Sequence, residues 1–200
     1  MVELKYKPVT AEDIGDDPQE RAVALGLVDK HDYGAARAVG AWRWPAIQKH
    51  EELILDRIVG RRTVDFGGNA GPVGYGSIVV DREGEIRSLG EVSGSFETIF
   101  TSHTLEHVAD LRHEINGFKF KLERGGTIVA HVPSYRCVEW RADNFDGHEH
   151  TFKLRGDDTP PTYIPLDAIL KYYLEIEIEV AEHVDSVHIG PSLIVIGKRS

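Results

Sequence analysis

Three groups of residues in this chain have types and spacings that could do chemistry. The first is Thr63-Val64-Asp65-Phe66-Gly67-Gly68-Asn69-Ala70-Gly71, where a short apolar strand runs through an acid into a turn with three glycines. Glycine lets the backbone adopt φ > 0 and lets a ligand approach closely. In open α/β sheets, nucleotide-like ligands sit beyond the carboxyl ends of the strands. The second group is His103 and His107, and the third is the segment 143–152, with His148, Glu149 and His150. Imidazole titrates near neutral pH, so each of these four histidines suits proton transfer. His and carboxylate are also good divalent-metal ligands. His103, His148, Glu149 and His150 therefore also read as a metal site, although the helical H-E-x-x-H spacing is absent. The plain alternative for 143–152 is a solvated polar loop.

Composition narrows the partners. The 200 residues suit one decorated domain, and 41% hydrophobic with 28% charged content is ordinary for a globular chain. A formal net charge of −10 argues against nucleic acid, whose phosphates need Lys and Arg, and against anionic lipid. A small-molecule substrate fits better. Residues 1–10 have no apolar core of a signal peptide, and no run reaches membrane-spanning length. Cys137 is the sole cysteine, which excludes an intrachain disulfide and makes a reducing, cytoplasmic setting the expectation.

Elements that must position these groups follow from periodicity. Residues 1–60 read as a helical N-terminal extension, with helices over Pro18–Val28 and Pro45–Val59. In the second helix Ile47, Ile54, Leu55 and Ile58 share a face, away from Glu51, Glu52 and Asp56. Tyr33, Trp42 and Trp44 read as packing anchors. From residue 61 onward the pattern alternates strands and helices. Strands are expected at Thr63–Phe66, Ser77–Val80, Phe96–Thr101, Thr127–Val132, Glu175–Val180 and Leu193–Ile196, with a weaker one at Ile86–Leu89. Helices are expected at Val108–Leu122 and Pro165–Tyr173, with Pro tolerated at a helix start. Gly156–Pro161 reads as a surface loop or lid. Such alternation implies a largely parallel sheet.

The passage Phe96-Glu97-Thr98-Ile99 followed by Leu105-Glu106-His107-Val108 resembles class I S-adenosylmethionine-dependent methyltransferases, where a similar strand leads to Leu-Glu-His at the head of a helix. Leu122-Glu123-Arg124-Gly125-Gly126-Thr127-Ile128, running on to Val132-Pro133, is similar to the family's next motif. Val64–Gly71 resembles its cofactor loop, Val79-Val80-Asp81 its second strand ending in an acid, and Glu175–Gly197 its closing hairpin. The resemblance implies a Rossmann-like α/β fold over residues 61–200, mostly parallel with an antiparallel last strand. It implies S-adenosylmethionine as cofactor, held by Asp65, Gly67, Gly68, Asn69, Gly71, Asp81, Ser102 and His103. Asp81 would bond the ribose, and Asp65 would fix the loop or reach the cofactor's amino-acid end. His103, His107, His148 and His150 become the catalytic candidates, serving an acceptor hydroxyl as base or clamp. Arg136, Trp140 and Arg141 would line the acceptor site, with a sugar or hydroxylated metabolite as acceptor.

Two departures bear on this reading. Asn69 stands at the family's middle glycine, although Asn tolerates a left-handed backbone. Only 14 residues separate Gly67 from Asp81, where a dinucleotide fingerprint has about 20. The intervening Pro72, Gly74 and Gly76 disfavour a helix, so the first crossover helix is expected to be vestigial or absent. The stretch from Asp81 to Glu97 is also short. A parallel sheet is normally covered on both faces, so the N-terminal helices or a second subunit are expected over the exposed flank. Two other functions compete: a non-catalytic methyltransferase-like binding or assembly protein, and a metal-dependent enzyme built on the His148, Glu149, His150 cluster.

Overall fold

In the computed structural model, residues 41, 44–68, 73–74, 76–82, 84, 86–186 and 190–200 are described. The expected helix at Pro18–Val28 lies outside them, as do Tyr33, Trp42, Asn69, Gly71 and Pro72. The first helices among the described residues are α1 (Pro45–Lys49) and α2 (Glu51–Ile58). Then come β1 (Thr63–Phe66), β2 (Ile78–Val80) and β3 (Phe96–Ser102). Helix α3 (Leu111–Lys121) feeds β4 (Leu122–Pro133) without an intervening residue. A two-residue pair, β5 (Phe152–Lys153) and β6 (Ile164–Pro165), precedes α4 (Leu166–Leu174). Strands β7 (Ile176–Val184) and β8 (Ser192–Arg199) close the chain.

Six strands form one sheet in the order β2-β1-β3-β4-β8-β7. The first four pair in parallel, and β8 runs antiparallel to both of its neighbours. After β2 the chain crosses to the opposite side of β1, so the sheet order reverses between β1 and β3. This is the Rossmann-like arrangement with an antiparallel last strand that the resemblance implies.

Each face of the sheet carries its own apolar layer. On one, Val64, Ile99, Ile128 and Val195 pack with Ile115 and Phe118 of α3 and with Leu166, Leu170 and Leu174 of α4. Those three leucines recur every fourth residue, which puts them on one helix face. On the other, Phe100, Val129, Ile194 and Ile196 pack beneath Ile47, Ile54 and Ile58 of α1 and α2. Leu55, expected on the same face, is only half-buried.

Several expectations change in detail. The helix expected at Pro45–Val59 is broken at His50 (φ −112°, ψ 22°), whose Nε2 lies 2.6 Å from Glu182 on β7 while Lys49 reaches the same carboxylate. The helix expected from Val108 begins only at Leu111, where Asp110 caps it by accepting the His113 N–H at 3.0 Å. Leu105–His107 is instead a separate 3-10 turn, so His107 does not head the helix. No strand occurs among the described residues of Ile86–Leu89. Asp81 N–H donates back to the Ile86 carbonyl at 2.9 Å, closing a tight turn, and Leu89 starts a 3-10 turn that plugs the core.

The connections on either side of β2 hold no α-helix among the described residues. The flank is nonetheless closed. Ile78 and Val80 are buried against Leu89, Val92 and Phe96 of the same chain, so no second subunit is needed on that face. Val79, on the opposite face, is half-buried.

Candidate functional site

The reversal between β1 and β3 brings the carboxyl ends of these two strands together. β1 ends at Phe66, and Gly67 follows at φ 85°, a conformation that glycine adopts without penalty. A Cβ at Gly67 would lie 1.9 Å from Thr104 Oγ1, so the turn after β1 touches the turn after β3. Asp65 is buried beneath this turn, and its Oδ2 accepts the Val73 N–H at 2.6 Å. That bond ties the far side of the loop to β1, so Asp65 fixes the loop. Burial pushes the Asp65 carboxyl up to about 7; the Val73 N–H opposes this and the nearby Asp81 adds to it. Asp81 stands just past the end of β2, in a turn closed by Gly84 N–H on its carbonyl at 2.8 Å. Asp65, Gly67, Gly68 and Asp81 thus gather at one edge of the sheet.

His103 lies on the β3 side of the same crevice, at φ 52°, a sparsely populated conformation for a non-glycine residue. Its N–H donates to the His131 carbonyl at 2.8 Å, which continues the β3–β4 ladder one residue past Ser102. Four rings enclose the end of these strands. The Trp44 indole stacks on the His103 imidazole, and Trp140 and His131 present edges to it at centroid distances of 5.2 and 4.8 Å. His131 is fully buried, with Nδ1 2.9 Å from Ser102 Oγ. Burial, then the charge of His103, holds His131 well below its ordinary value, so it stays neutral.

Behind His103 lies a residue that the sequence did not single out. Glu106 is 1% exposed, and its Oε1 is 3.2 Å from His103 Nδ1. Neither of its oxygens completes a hydrogen bond among the described residues. Burial pushes its carboxyl up to about 7, partly offset by its own backbone amide and by His107 and His148. A signal was present, because Glu106 follows Leu105 in a motif otherwise read for its histidine.

The segment 143–152 returns to this place through main-chain bonds. The Glu106 carbonyl accepts the N–H groups of Glu149 at 2.7 Å and His150 at 3.2 Å. The consecutive cluster expected from sequence does not form a site. His150 Nε2 bonds the Val108 carbonyl at 2.7 Å, His148 Nδ1 bonds the Trp140 carbonyl at 2.8 Å, and Glu149 is exposed. His107 instead meets His148, with ring centroids 4.5 Å apart. Of the residues expected to line the acceptor site, Trp140 is brought to His103. Arg141 Nε donates to the Tyr135 carbonyl at 2.7 Å, and Arg136 reaches out towards exposed Asp185.

Ser134, His183 and Asp157 align like a nucleophilic triad, at 2.7 and 2.9 Å. Ser134 is 2% exposed and its hydroxyl accepts the Arg136 N–H, so the set works as a clamp. It pins the 154–163 loop, which β5 and β6 close at its base, against β7. Burial alone would raise the Asp157 carboxyl, but the Leu154 N–H and His183 together hold it below its ordinary value. A polar cleft of about 230 Å³ lies at the opposite, amino-terminal edge of the sheet, lined by Arg57, Arg61, Glu97 and Arg124 among others. None of the candidate residues reaches it.

No family's sequence profile matches this chain, and no curated protein matches it by sequence. Solved structures do match. An S-adenosylmethionine-dependent methyltransferase from Mesorhizobium loti shares 17% identity over 80% of this chain and 99% of its own, with a TM-score of 0.50. The N-methyltransferase NodS from Bradyrhizobium japonicum WM9, in complex with S-adenosyl-L-homocysteine, shares 14% identity over 92% of this chain and 99% of its own, with a TM-score of 0.51. Together with the strand order, these likenesses show that the chain has the fold of class I S-adenosylmethionine-dependent methyltransferases.

Proposed function

We propose that this chain binds S-adenosylmethionine across the carboxyl ends of β1 and β3 and transfers its methyl group to a hydroxylated small molecule. The observation that carries this reading is the closeness of the β1 and β3 turns at the reversal of strand order, where open α/β sheets take their ligands. The residues fit the cofactor. Asp81 at the end of β2 offers a carboxylate to the ribose hydroxyls, while Gly67, Gly68 and the Asp65–Val73 bond shape the turn below it. Ser102 and His103 supply the facing side; Asn69 and Gly71 complete the proposed loop in sequence. Domain limits at residues 1–60 and 61–200 belong to the same proposal. NodS, whose structure holds S-adenosyl-L-homocysteine, supports the choice of ligand.

When bound, the cofactor supplies an electrophilic methyl group on a sulfonium. The chain's task is then to align the acceptor oxygen and to keep water away. Trp44 and Trp140 wall the acceptor side and exclude water. Glu106 orients His103 through Nδ1, which turns Nε2 towards the acceptor, and Nε2 receives the hydroxyl proton as the oxygen is methylated. In this reading His107, His148 and His150 position the acceptor loop.

A non-catalytic binding protein is the second reading, favoured by the absence of a helix among the described residues between β1 and β2. Calorimetric titration with S-adenosylmethionine and S-adenosyl-L-homocysteine tests the cofactor. Saturable binding, weakened roughly tenfold or more in Asp81→Ala by loss of a charged hydrogen-bond acceptor, is the expected result. Absence of heat at millimolar ligand would sink the reading, and unchanged affinity in Asp81→Ala would remove that residue from the site.

A further inference from the structure

We propose that Glu106, His107 and His148 form a binding site for one divalent transition-metal ion, with zinc the best match to the ligands. Among the described residues, this is the one group of three whose potential ligand atoms all lie within 4.8 Å of one another. The metal site shares Glu106 with the methyltransferase reading, since Oε1 faces both His103 and His107, but its other two ligands take no part in binding the cofactor.

Four observations carry it. Glu106 is almost completely buried; its Oε1 lies 3.2 Å from His103 Nδ1 and 4.0 Å from His107 Nε2, yet neither oxygen completes a hydrogen bond among the described residues. A buried carboxylate left in that state is expensive, and coordination to a cation is one of the few arrangements that compensates it. His107 Nδ1 lies 2.8 Å from the Gly147 carbonyl, and His148 Nδ1 lies 2.8 Å from the Trp140 carbonyl. A carbonyl only accepts, so each Nδ1 must carry the proton and each Nε2 must present its lone pair. That is how metal-binding imidazoles are oriented by the shell of groups behind them. The two rings meet edge to face, with planes 79° apart. Finally, the Glu106 carbonyl holds Glu149 and His150 by their N–H groups, which fixes the approach of His148.

Two imidazole nitrogens and one carboxylate oxygen suit zinc, and three protein ligands leave one position open. Bonds of about 2.0–2.1 Å set tetrahedral ligand atoms roughly 3.4 Å apart. From 4.8 Å, closure asks for a movement of about 1.4 Å at most. His107 is 48% exposed and can turn to supply it. Water, which reaches the exposed His107, would take the fourth position. The ion would also join the Leu105–His107 turn to the 143–150 loop.

The test uses the full chain without a histidine tag, stripped with chelator. Cobalt(II) is titrated first, followed by zinc in competition with a chromophoric chelator, both without cofactor. One equivalent of cobalt with the intense visible bands of a tetrahedral site, displaced by zinc, is the expected result. Affinity should fall at least roughly tenfold in His107→Ala and in His148→Ala. Because His107 is exposed, His107→Ala should fold even if His148→Ala does not. Substoichiometric binding, or binding equal in His107→Ala and the parent protein, would overturn the site. Because no cofactor is present, metal binding can fail while S-adenosylmethionine binding holds, and the reverse.

Discussion

The indole of Trp44 lies flat on the imidazole of His103, with ring centroids 3.8 Å apart and planes 14° from parallel. Trp44 sits just before α1. His103 ends β3. The segment leading into α1 therefore reaches the candidate site itself, and a residue read from sequence as a packing anchor also walls the proposed acceptor side.

Removing that ring should be felt in stability first. Trp44 is 6% exposed and shares a cluster with Phe100, Ile47 and Val129. Trp44→Ala is expected to destabilise the protein by about 3–5 kcal/mol, and Trp44→Phe by clearly less. Denaturant unfolding midpoints measure both. An unchanged midpoint in Trp44→Ala would show that the Trp44 ring is not docked on the sheet.

Asp65 makes a prediction about pH. Its carboxyl is raised from 3.8 to about 7, chiefly by burial, so the folded protein keeps this proton to higher pH than the unfolded chain does. The associated stability is complete below pH 3.8 and is lost as pH rises through about 7. Within that window the group lowers stability by about 1.4 kcal/mol per pH unit. Asp65→Asn keeps an acceptor for the Val73 N–H and lacks the titration. Its stability relative to the parent should therefore improve between pH 5 and pH 8. Parallel pH–stability curves for the two proteins would mean that Asp65 is not held as a buried acid.

Gly67 and Thr104 should be energetically coupled. Gly67→Ala sets a Cβ 1.9 Å from Thr104 Oγ1 and places a side chain at φ 85°, so a loss of roughly 1–3 kcal/mol or more is expected. Thr104→Gly should relieve the contact and leave only the backbone strain. A double-mutant cycle measures the difference. Strict additivity would show that the β1 and β3 turns do not touch.

Most strands of the central sheet were legible as short apolar runs bounded by Gly, Pro or charge, and β7 by the alternation of Glu with apolar residues at its start. Val64, Ile99 and Ile128 point to one layer as their alternation requires. The Leu105-Glu106-His107 motif was legible as a landmark, yet its shape was not, because Asp110 captures the helix start three residues later. Glu106 escaped notice for a different reason. Its burial depends on residues 148–150 folding back from about 40 positions downstream, and no local pattern encodes that return. His148 and His150 looked like a pair because they are two apart. They part because each is bound to a different carbonyl, one on Trp140 and one on Val108.

The Glu106 carbonyl, which accepts both Glu149 and His150, is also a latch. Two main-chain hydrogen bonds are all that it contributes to holding the 143–150 loop shut. At roughly 0.5–1.5 kcal/mol net for each bond, breaking both takes about 1–3 kcal/mol. By this latch alone, the loop would stand open in roughly one molecule in six to one in 160 at any moment. The same loop is also held by His107 Nδ1 on the Gly147 carbonyl and by His150 Nε2 on the Val108 carbonyl, so its open population is smaller still.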